Sequence, residues 1–362
     1  MKETIAILGE SFGASGKGLY VTKLFENINK KMDVKLFLRD ITPYNSKDFA
    51  IPYDSKNVIK IKTFRTRIRF LSGLGYYIPL YFYILKNKDI KVIHAFDERI
   101  GAVMSFLKRP LIVTVHDIAP LYWGWFSKFL FKRLYKRLIK TKCVIVDSKN
   151  TERMLIKEFP FLSEKIKRIY LGTDLEKFKP GKKKRGKTIT IGILGDLDSE
   201  LKSTFKKIAK EYGNKVKIII GGRVALKEFD ELKSNPEIIF KGFIKDSELP
   251  SYYQGIDIFV YKHKSEGFGF IPLEAMASGC AVVVSNTASI PEVVGSGGFL
   301  VNNDKEEFYN AIKHLIENKK LIKTYSKKGR KRAEKFPWSN CSNKVIKIYK
   351  EVLRNEHAHN KK

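Results

Sequence analysis

The sequence contains no long apolar run, and this excludes a protein built from membrane-spanning helices. No stretch of eighteen or more uncharged apolar residues occurs in the 362 residues, whereas a helix that crosses a bilayer needs about 20 predominantly apolar residues. The first residues, Met1 to Ile5, lead into a strand and not into a signal peptide. We therefore expect a cytoplasmic chain without a transmembrane anchor.

Cysteine is scarce as well. The three cysteines, Cys143, Cys280 and Cys341, are widely separated and lack metal-ligand spacing. An odd count also argues against a disulfide framework. We expect free thiols in the core or on the surface.

Acidic residues are few compared with basic ones. The sequence has 38 Asp and Glu against 70 Lys and Arg, which gives a formal net charge of +32. The excess is concentrated between Ser55 and Lys142, where nineteen basic residues accompany four acidic ones. Such a balance indicates an anionic partner without defining a fold.

Short apolar strands alternate with helical patterns along the whole chain. This alternation predicts an α/β fold with parallel sheets, and the length favours two domains over one. The predicted parts are an N-terminal domain at 1–172, a basic linker at 173–187, a second domain at 188–338 and a C-terminal helix at 339–362.

A glycine-rich turn containing Gly13, Gly16 and Gly18 follows the first strand. It is not a Walker A loop, because Ser11 and Gly18 stand where that motif needs Gly and Ser or Thr, and the spacing does not fit a dinucleotide fingerprint. Two interpretations stay open: a tight structural turn, or a flexible loop whose amides approach a diphosphate. In the second, Gly16 is the candidate binding position.

Two histidines end predicted strands. His116, followed by Asp117, comes directly after the strand at 111–115, and open α/β sheets bind ligands at this carboxyl end. A lone histidine there is more often a structural donor than a catalyst. We interpret His94 as structural and keep His116 as a candidate site residue.

The most informative stretch is a loop, a helix and a strand that begin at residue 265. Loop amides around Phe268, Gly269 and Phe270 lie at a predicted helix N-terminus, which favours phosphate or hydroxyl oxygens. One carboxylate, Glu266, lies in the loop, and Glu274 is predicted in the first helical turn. The alternative is a solvated loop and a first-turn Glu that the helix dipole stabilises.

Taken together, Glu-Gly-Phe-Gly, a second Glu after seven intervening residues, Ala-Met-Ala-Ser-Gly and an apolar strand resemble the signature of retaining GT-B glycosyltransferases of family 4, also called group 1. The resemblance implies two doubly wound Rossmann-like domains facing a central cleft. The first would bind the acceptor, the second the nucleotide sugar, and the C-terminal helix would pack back on the first. Further stretches match the family, at 171–174, 240–244, 290–294 and 298–301.

The resemblance also implies roles for individual residues. Glu266 would contact the donor sugar, Glu274 the ribose, and His116 the region of the sugar and the leaving phosphate. The remaining donor-binding positions are Gly16 in the first loop, Gly242, Phe243 and Ile244 beside the nucleobase, and the backbone of Phe268, Gly269, Phe270 and Ile271 at the sugar hydroxyls and diphosphate.

One departure from the family concerns the diphosphate. Asp196 occupies the position of an arginine that usually holds it together with a lysine. Here Lys202 would supply one catalytic cation, and Arg223 is a candidate for the second cation at the diphosphate. Asp196 and Asp198 also spell the Asp-x-Asp metal motif of another glycosyltransferase fold, but the two-domain surroundings speak against it. We expect no metal and no cofactor.

Two basic aromatic segments lie in the N-terminal domain. Arg65, Arg67 and Arg69 alternate with apolar residues, and a helix is predicted at 123–140. On that helix Phe126, Leu130, Leu134 and Leu138 form one face, while Lys128, Lys132, Lys136 and Lys140 form another. Such a helix can lie on an anionic membrane surface. It can equally pack on the sheet with a solvated outer face, and the two are compatible.

The expected function is a metal-independent retaining hexosyltransferase that uses a UDP- or GDP-sugar. A glycan or lipid-linked acceptor would explain the basic aromatic surface, with the protein peripheral on the cytoplasmic face of the membrane. Two alternatives stay open. One is a sugar-nucleotide epimerase of the same fold, and the other is a non-catalytic basic module that binds membrane or nucleic acid. Nucleic acid is the partner we expect least.

Overall fold

The computed structural model describes residues 3–10, 16–40, 56–63, 73–118, 124–181, 188–195, 197–222, 232 and 234–359. The chain divides into two compact units. The first comprises residues 1–172 and 338–362, and the second comprises residues 173–337. Elements are numbered along the chain, and the units are described separately.

The first unit is built on a parallel sheet of seven strands in the order β3-β2-β1-β4-β5-β6-β7. Its strands are mostly apolar and buried on both faces, as expected where helices cover a parallel sheet. Their bounds are β1 Thr4–Leu8, β2 Val34–Arg39, β3 Val58–Ile61, β4 Ile90–Ala95, β5 Leu111–Val115, β6 Cys143–Val146 and β7 Ile166–Arg168.

Helices connect these strands as crossovers, and the last helix of the chain packs against the first. The helices of this unit are α1 Gly16–Ile28, α2 Leu74–Lys86, α3 Glu98–Met104, α4 Trp125–Arg137, α5 Lys149–Glu158 and α12 Trp338–His359. Short 3₁₀ turns follow α4 and α5, at Leu138–Lys140 and Pro160–Lys165.

The second unit repeats the design with six parallel strands in the order β10-β9-β8-β11-β12-β13. The strands are β8 Ile189–Leu194, β9 Val216–Gly221, β10 Ile238–Gly242, β11 Ile258–Tyr261, β12 Ala281–Ser285 and β13 Phe299–Val301. The helices are α6 Ser199–Tyr212, α7 Leu249–Gln254, α8 Phe270–Ala277, α9 Ile290–Val294, α10 Lys305–Glu317 and α11 Lys319–Ala333, with 3₁₀ turns at Gly213–Lys215 and Gly295–Gly297.

The predicted fold class is confirmed, because both units are Rossmann-like parallel sheets covered by helices. In the first sheet the strand order reverses between β1 and β4, and in the second between β8 and β11. Ligands of open α/β sheets bind at the carboxyl ends of the strands beside such a reversal. The loops that follow these four strands are therefore where a site is expected.

Several details differ from the predictions. The basic helix begins at Trp125 and not at residue 123, because Gly124 precedes it with a φ of 121°. Part of the predicted linker belongs to the second unit, where Phe178 is buried against Tyr253.

Within the described residues, no helix is long and apolar enough to span a bilayer. The three cysteines are buried and free.

Candidate functional site

The loop between β11 and α8 is fixed by polar side chains from the following strand and turn. The backbone N–H of His263 donates to Ser285 Oγ at 3.0 Å, and Thr287 Oγ1 donates to the His263 carbonyl at 2.8 Å. Ser289 Oγ donates to the carbonyl of Glu266 at 2.8 Å. The loop that carries Glu266 is therefore held in one conformation at the carboxyl edge of the sheet.

Helix α8 starts without a side-chain cap. Gly269 precedes its first residue with φ 106° and ψ 51°, a left-handed conformation that favours glycine. Phe268 is buried and its ring packs edge-on against Phe336 and Phe270. The positive end of the helix dipole is thus directed at the loop, an arrangement that suits an anionic or hydroxyl oxygen.

The Glu266 carboxylate is held by an aromatic neighbour. Its Oε2 accepts a hydrogen bond of 2.5 Å from the Tyr261 hydroxyl, at the end of β11. The Tyr261 ring stacks on His263 with centroids 5.6 Å apart and planes 9° from parallel. Because Glu266 is only half-buried, it can be oriented by the protein and still reach a ligand.

Glu274 is a buried carboxyl group. It is the fifth residue of α8 and so lies one turn later than predicted, since the helix begins at Phe270. Its Oε2 accepts from the Tyr253 hydroxyl at 3.3 Å. Burial raises the pKa of Glu274 to about 8, while nearby Lys177 lowers it. Burial thus favours the protonated form, which can both donate to and accept from a hydroxyl.

A lysine that the sequence analysis missed joins two loops of the second sheet. Lys262 follows β11, its side chain is 3% exposed, and its Nζ lies 2.6 Å from Asp198 Oδ2. It also pairs with Glu200 in the first turn of α6. Its position directly after a buried apolar strand was the available signal. The ion pair between Lys262 and Asp198 links the ends of β11 and β8, where the strand order reverses.

The predicted diphosphate cations are only partly described. Lys202 is the fourth residue of α6, and its backbone N–H donates to the Asp198 carbonyl at 2.9 Å. Asp196 and Arg223 lie outside the described residues. Among the residues the structure describes, no cluster of His, Cys, Asp and Glu could hold a metal ion.

The segment predicted beside the nucleobase lies at the end of β10. The Gly242 carbonyl accepts from the Gly222 N–H at 2.8 Å, and a Cβ at Gly222 would lie 2.9 Å from the backbone N of Gly195. The ends of β8, β9 and β10 therefore converge. Phe243 follows with 49% of its surface exposed, and Ile244 packs over Gly221.

In the first unit His116 is a buried, neutral imidazole. Its Nδ1 lies 3.0 Å from Asp147 Oδ2, and its Nε2 is buried without a hydrogen-bond partner among the described residues. Burial, followed by the charge of Lys17, lowers the pKa of His116 to about 3. If Asp147 accepts the Nδ1 proton, Nε2 has a free lone pair and can accept a hydrogen bond.

His94 differs from His116 in that both of its ring nitrogens have protein partners. Nδ1 lies 2.6 Å from the Tyr349 hydroxyl and Nε2 lies 2.8 Å from Thr114 Oγ1. The ring is fully buried, and burial lowers the pKa of His94 to about 3. This geometry matches a structural role.

A second charged cluster follows β1 and β4, again at a sheet reversal. Arg99 donates to Asp97 at 2.9 Å and to Glu10 at 3.0 Å. Glu98 is buried, and burial with the charge of Asp97 raises its pKa to about 8. Lys17 lies 3.8 Å from Asp97. Next to it, the predicted Gly16 is the exposed first residue of α1.

The surface of α4 carries aromatic rings among its basic side chains. Trp125 is 82% exposed and Phe129 is 52% exposed. The guanidinium of Arg133 lies 4.7 Å from the centre of the Phe129 ring. The inner side of this segment packs through Tyr135 and Leu138, which are fully buried. The segment thus packs into the core of the first unit and also presents a basic aromatic face.

Two family profiles match consecutive parts of the chain. Residues 16–177 match the profile described as glycosyltransferase family 4, and residues 176–332 match the one described as glycosyl transferases group 1. Together they cover residues 16–332, which contain strands of both sheets, from β2 to β13.

Curated relatives agree with these profiles. An O-antigen chain mannosyltransferase of Salmonella typhimurium is 31% identical in an alignment of length 221 that covers 58% of this chain and 62% of that protein. A sulfoquinovosyl transferase of Arabidopsis thaliana is 24% identical in an alignment of length 271 that covers 67% of this chain and 52% of that protein. The matches thus span less than two thirds of either relative.

Solved structures show the same fold over nearly the whole length. The Anabaena protein HepE, whose crystal structure contains UDP and glucose, superposes with a TM-score of 0.75 at 18% identity. The superposition covers 97% of this chain and 100% of that one.

Proposed function

This chain belongs to the family 4 (group 1) glycosyltransferases and has the GT-B fold, and from that premise we propose that it transfers a sugar from a nucleoside diphosphate donor to an acceptor hydroxyl. The observation that carries the proposal is the constellation around α8. An oriented carboxylate, an uncapped helix start and a buried carboxyl group lie together after β11.

The nucleoside part of the donor is assigned to Glu274 and the end of β10. Burial favours the protonated form of Glu274, and a protonated carboxyl group can donate one hydrogen bond and accept another. This matches the two neighbouring hydroxyls of a ribose. The exposed ring of Phe243 offers a surface on which a base can stack.

The diphosphate is assigned to the start of α8 and to Lys202. Negative charge grows on the diphosphate as the glycosidic bond breaks, so oriented dipoles and cations at that point stabilise the transition state most. The α8 start is fixed by Gly269 and by the packing of Phe268, and it needs no rearrangement to act.

We propose that transfer proceeds with retention of anomeric configuration. The departing phosphate takes the proton of the acceptor hydroxyl on the same face of the sugar, and neither Glu266 nor His116 acts as a nucleophile. Glu266 orients the sugar hydroxyls through the position that Tyr261 gives it. Glycosidases differ, because they place two carboxyl groups on either side of the scissile bond.

The first unit is assigned the binding of the acceptor, which we place at a membrane surface. The basic aromatic face of α4 has the composition of an interfacial helix, with exposed Trp125 and Phe129 among lysines. We propose that this face binds an anionic membrane surface and that the acceptor is a glycan, carried in the simplest case on a lipid.

The test is a transfer assay with UDP- and GDP-sugars, glycan acceptors and lipid extracts. Released nucleoside diphosphate gives the rate, and the anomeric proton of the product, followed by NMR, gives the configuration. We expect a product with the donor's configuration, and Glu266→Gln should lower the rate about 100-fold. Glu317→Gln, a half-exposed group in α10, is the matched control.

Three outcomes contradict the proposal in different ways. A product of opposite configuration rejects retention alone. Conversion of the donor to an epimer in the absence of any acceptor makes the enzyme an epimerase. Failure to release nucleoside diphosphate with any donor rejects the transferase.

A further inference from the structure

Lys262 is a buried cation that the proposed mechanism does not use. Its side chain is 3% exposed, whereas those of its two partners, Asp198 and Glu200, are 44% and 48% exposed. Burial alone would lower the pKa of Lys262, but the hydrogen bonds to Asp198 and Glu200 raise it above the usual value. The side chain is therefore a positive charge held below the surface by its two carboxylate partners.

The position of this charge is set by the topology of the second sheet. Lys262 follows β11, and Asp198 precedes α6 after β8. These two strands are neighbours at the reversal of strand order. Asp198 also accepts the N–H of Leu201 at 2.8 Å, so it caps α6 while it binds the ammonium group. Lys262 thus ties the turn after β8 to the loop that carries Glu266.

The side chains of that turn have the wrong sign for a phosphate ligand. Asp198 and Glu200 are both acidic, and Asp196 precedes them in the sequence. Carboxylates within several ångströms of a diphosphate weaken its binding by Coulomb repulsion, since neither charge is fully screened there. A buried cation that pairs with two of them cancels one of their two negative charges and so weakens this repulsion.

We propose that Lys262 is a positioning residue for the donor's diphosphate: it cancels one of the two negative charges of Asp198 and Glu200 and holds their turn in place, so that an anion can bind beside Lys202. The ligand class is the diphosphate group of a nucleoside diphosphate. The inference rests on the proposed function, because it assumes that the nucleotide binds at these strand ends. It explains how the site tolerates an acidic turn.

The test compares a charged and an uncharged ligand of the same base. Lys262→Met removes the charge and keeps the length of the side chain. We expect the affinity for UDP or GDP, whichever the wild-type chain binds, to fall roughly 10- to 100-fold. The affinity for the parent nucleoside, measured by saturation-transfer NMR, should change less than about threefold.

Neutralising the carboxylates gives an independent series. Asp198→Asn with Glu200→Gln leaves the Asn able to cap α6. Combined with Lys262→Met, this pair should restore diphosphate affinity to the wild-type level or above it. With Lys262 intact, the same pair should bind the diphosphate more tightly than wild type. This series does not require Lys262→Met alone to fold.

A lysine of α10 that pairs with the other end of α6 is the matched control. Lys313 pairs with Glu211 at 2.8 Å, and Glu211 lies thirteen residues after Asp198, about 20 Å along the helix. Lys313→Met should leave the affinities for both ligands unchanged.

Several results would overturn the inference. A parallel loss of nucleoside and diphosphate affinity in Lys262→Met would show a purely structural role. Unchanged affinities, or failure of the carboxylate variants to strengthen binding, would exclude the electrostatic role. If the wild-type chain binds no nucleoside diphosphate at all, the proposed function fails and this inference fails with it.

Discussion

Replacing Glu274 with Gln should make the second unit less sensitive to alkaline pH. The pKa of Glu274 rises from 4.5 to about 8, chiefly because the carboxyl group is buried. The folded state therefore keeps a proton that the unfolded state releases near pH 4.5. By linkage, the stability contribution of this group is fully present below pH 4.5, falls as the pH rises towards 8, and stays low above that.

The size of the effect follows from the two pKa values. The difference between 4.5 and about 8 corresponds to at most about 5 kcal/mol of unfolding free energy at 1.36 kcal/mol per pH unit. Relaxation of the folded state reduces this to a few kcal/mol. Gln resembles the protonated acid, so Glu274→Gln should match wild type near pH 5 and exceed it by about 2 to 4 kcal/mol at pH 9.

The measurement is urea unfolding at pH 5, 7 and 9, followed by circular dichroism and by hydrogen exchange of peptides from α8. Hydrogen exchange is needed because the two units can unfold separately. Glu317→Gln, whose side chain is 49% exposed, is the control for loss of a carboxylate elsewhere in the second unit. A stability difference between Glu274→Gln and wild type that is the same at all three pH values would refute the reasoning.

Three further predictions concern other parts of the molecule. Asp147→Asn should move the proton of His116 from Nδ1 to Nε2, which the ¹⁵N chemical shifts of the ring would show. The same variant should lower the rate of sugar transfer about tenfold or more. Unchanged ¹⁵N shifts would contradict a proton on Nδ1. Charge reversal of Lys132 and Lys136 should weaken binding to anionic vesicles by about 1 kcal/mol or more per residue without affecting nucleotide binding. If the variant and the wild type bind the vesicles equally well, α4 is not the surface that contacts the membrane. Phe243→Ala should weaken nucleotide binding by about 1 kcal/mol, while the free energy of unfolding stays within about 0.5 kcal/mol of the wild-type value. A large loss of stability would instead show that the ring has a structural role.

Much of the fold followed from the sequence because the central strands are short, apolar and bounded by turns. The strand at 111–115 has the predicted bounds. β3, at Val58–Ile61, was not predicted, since it is a half-exposed edge strand in which a lysine interrupts the apolar residues. Edge strands lack the continuous apolar run that marks a strand buried on both faces.

The candidate site could be proposed from the sequence where its residues lie close together in the chain. Glu266 and Glu274 belong to one contiguous motif, and the resemblance of that motif to the family signature made them candidates. Lys262 was missed because its partners lie 62 and 64 residues away in sequence. Only the order of strands in the sheet brings such residues together.

The central claim is that the second unit binds a nucleoside diphosphate sugar at α8. The most direct test is saturation-transfer NMR and thermal shift of the wild-type chain and Glu274→Ala against UDP, GDP and their sugar conjugates. We predict selective stabilisation by one nucleotide series in the wild type, lost in the variant. Equal stabilisation of both chains, or binding of no nucleotide by the wild type, would contradict the claim.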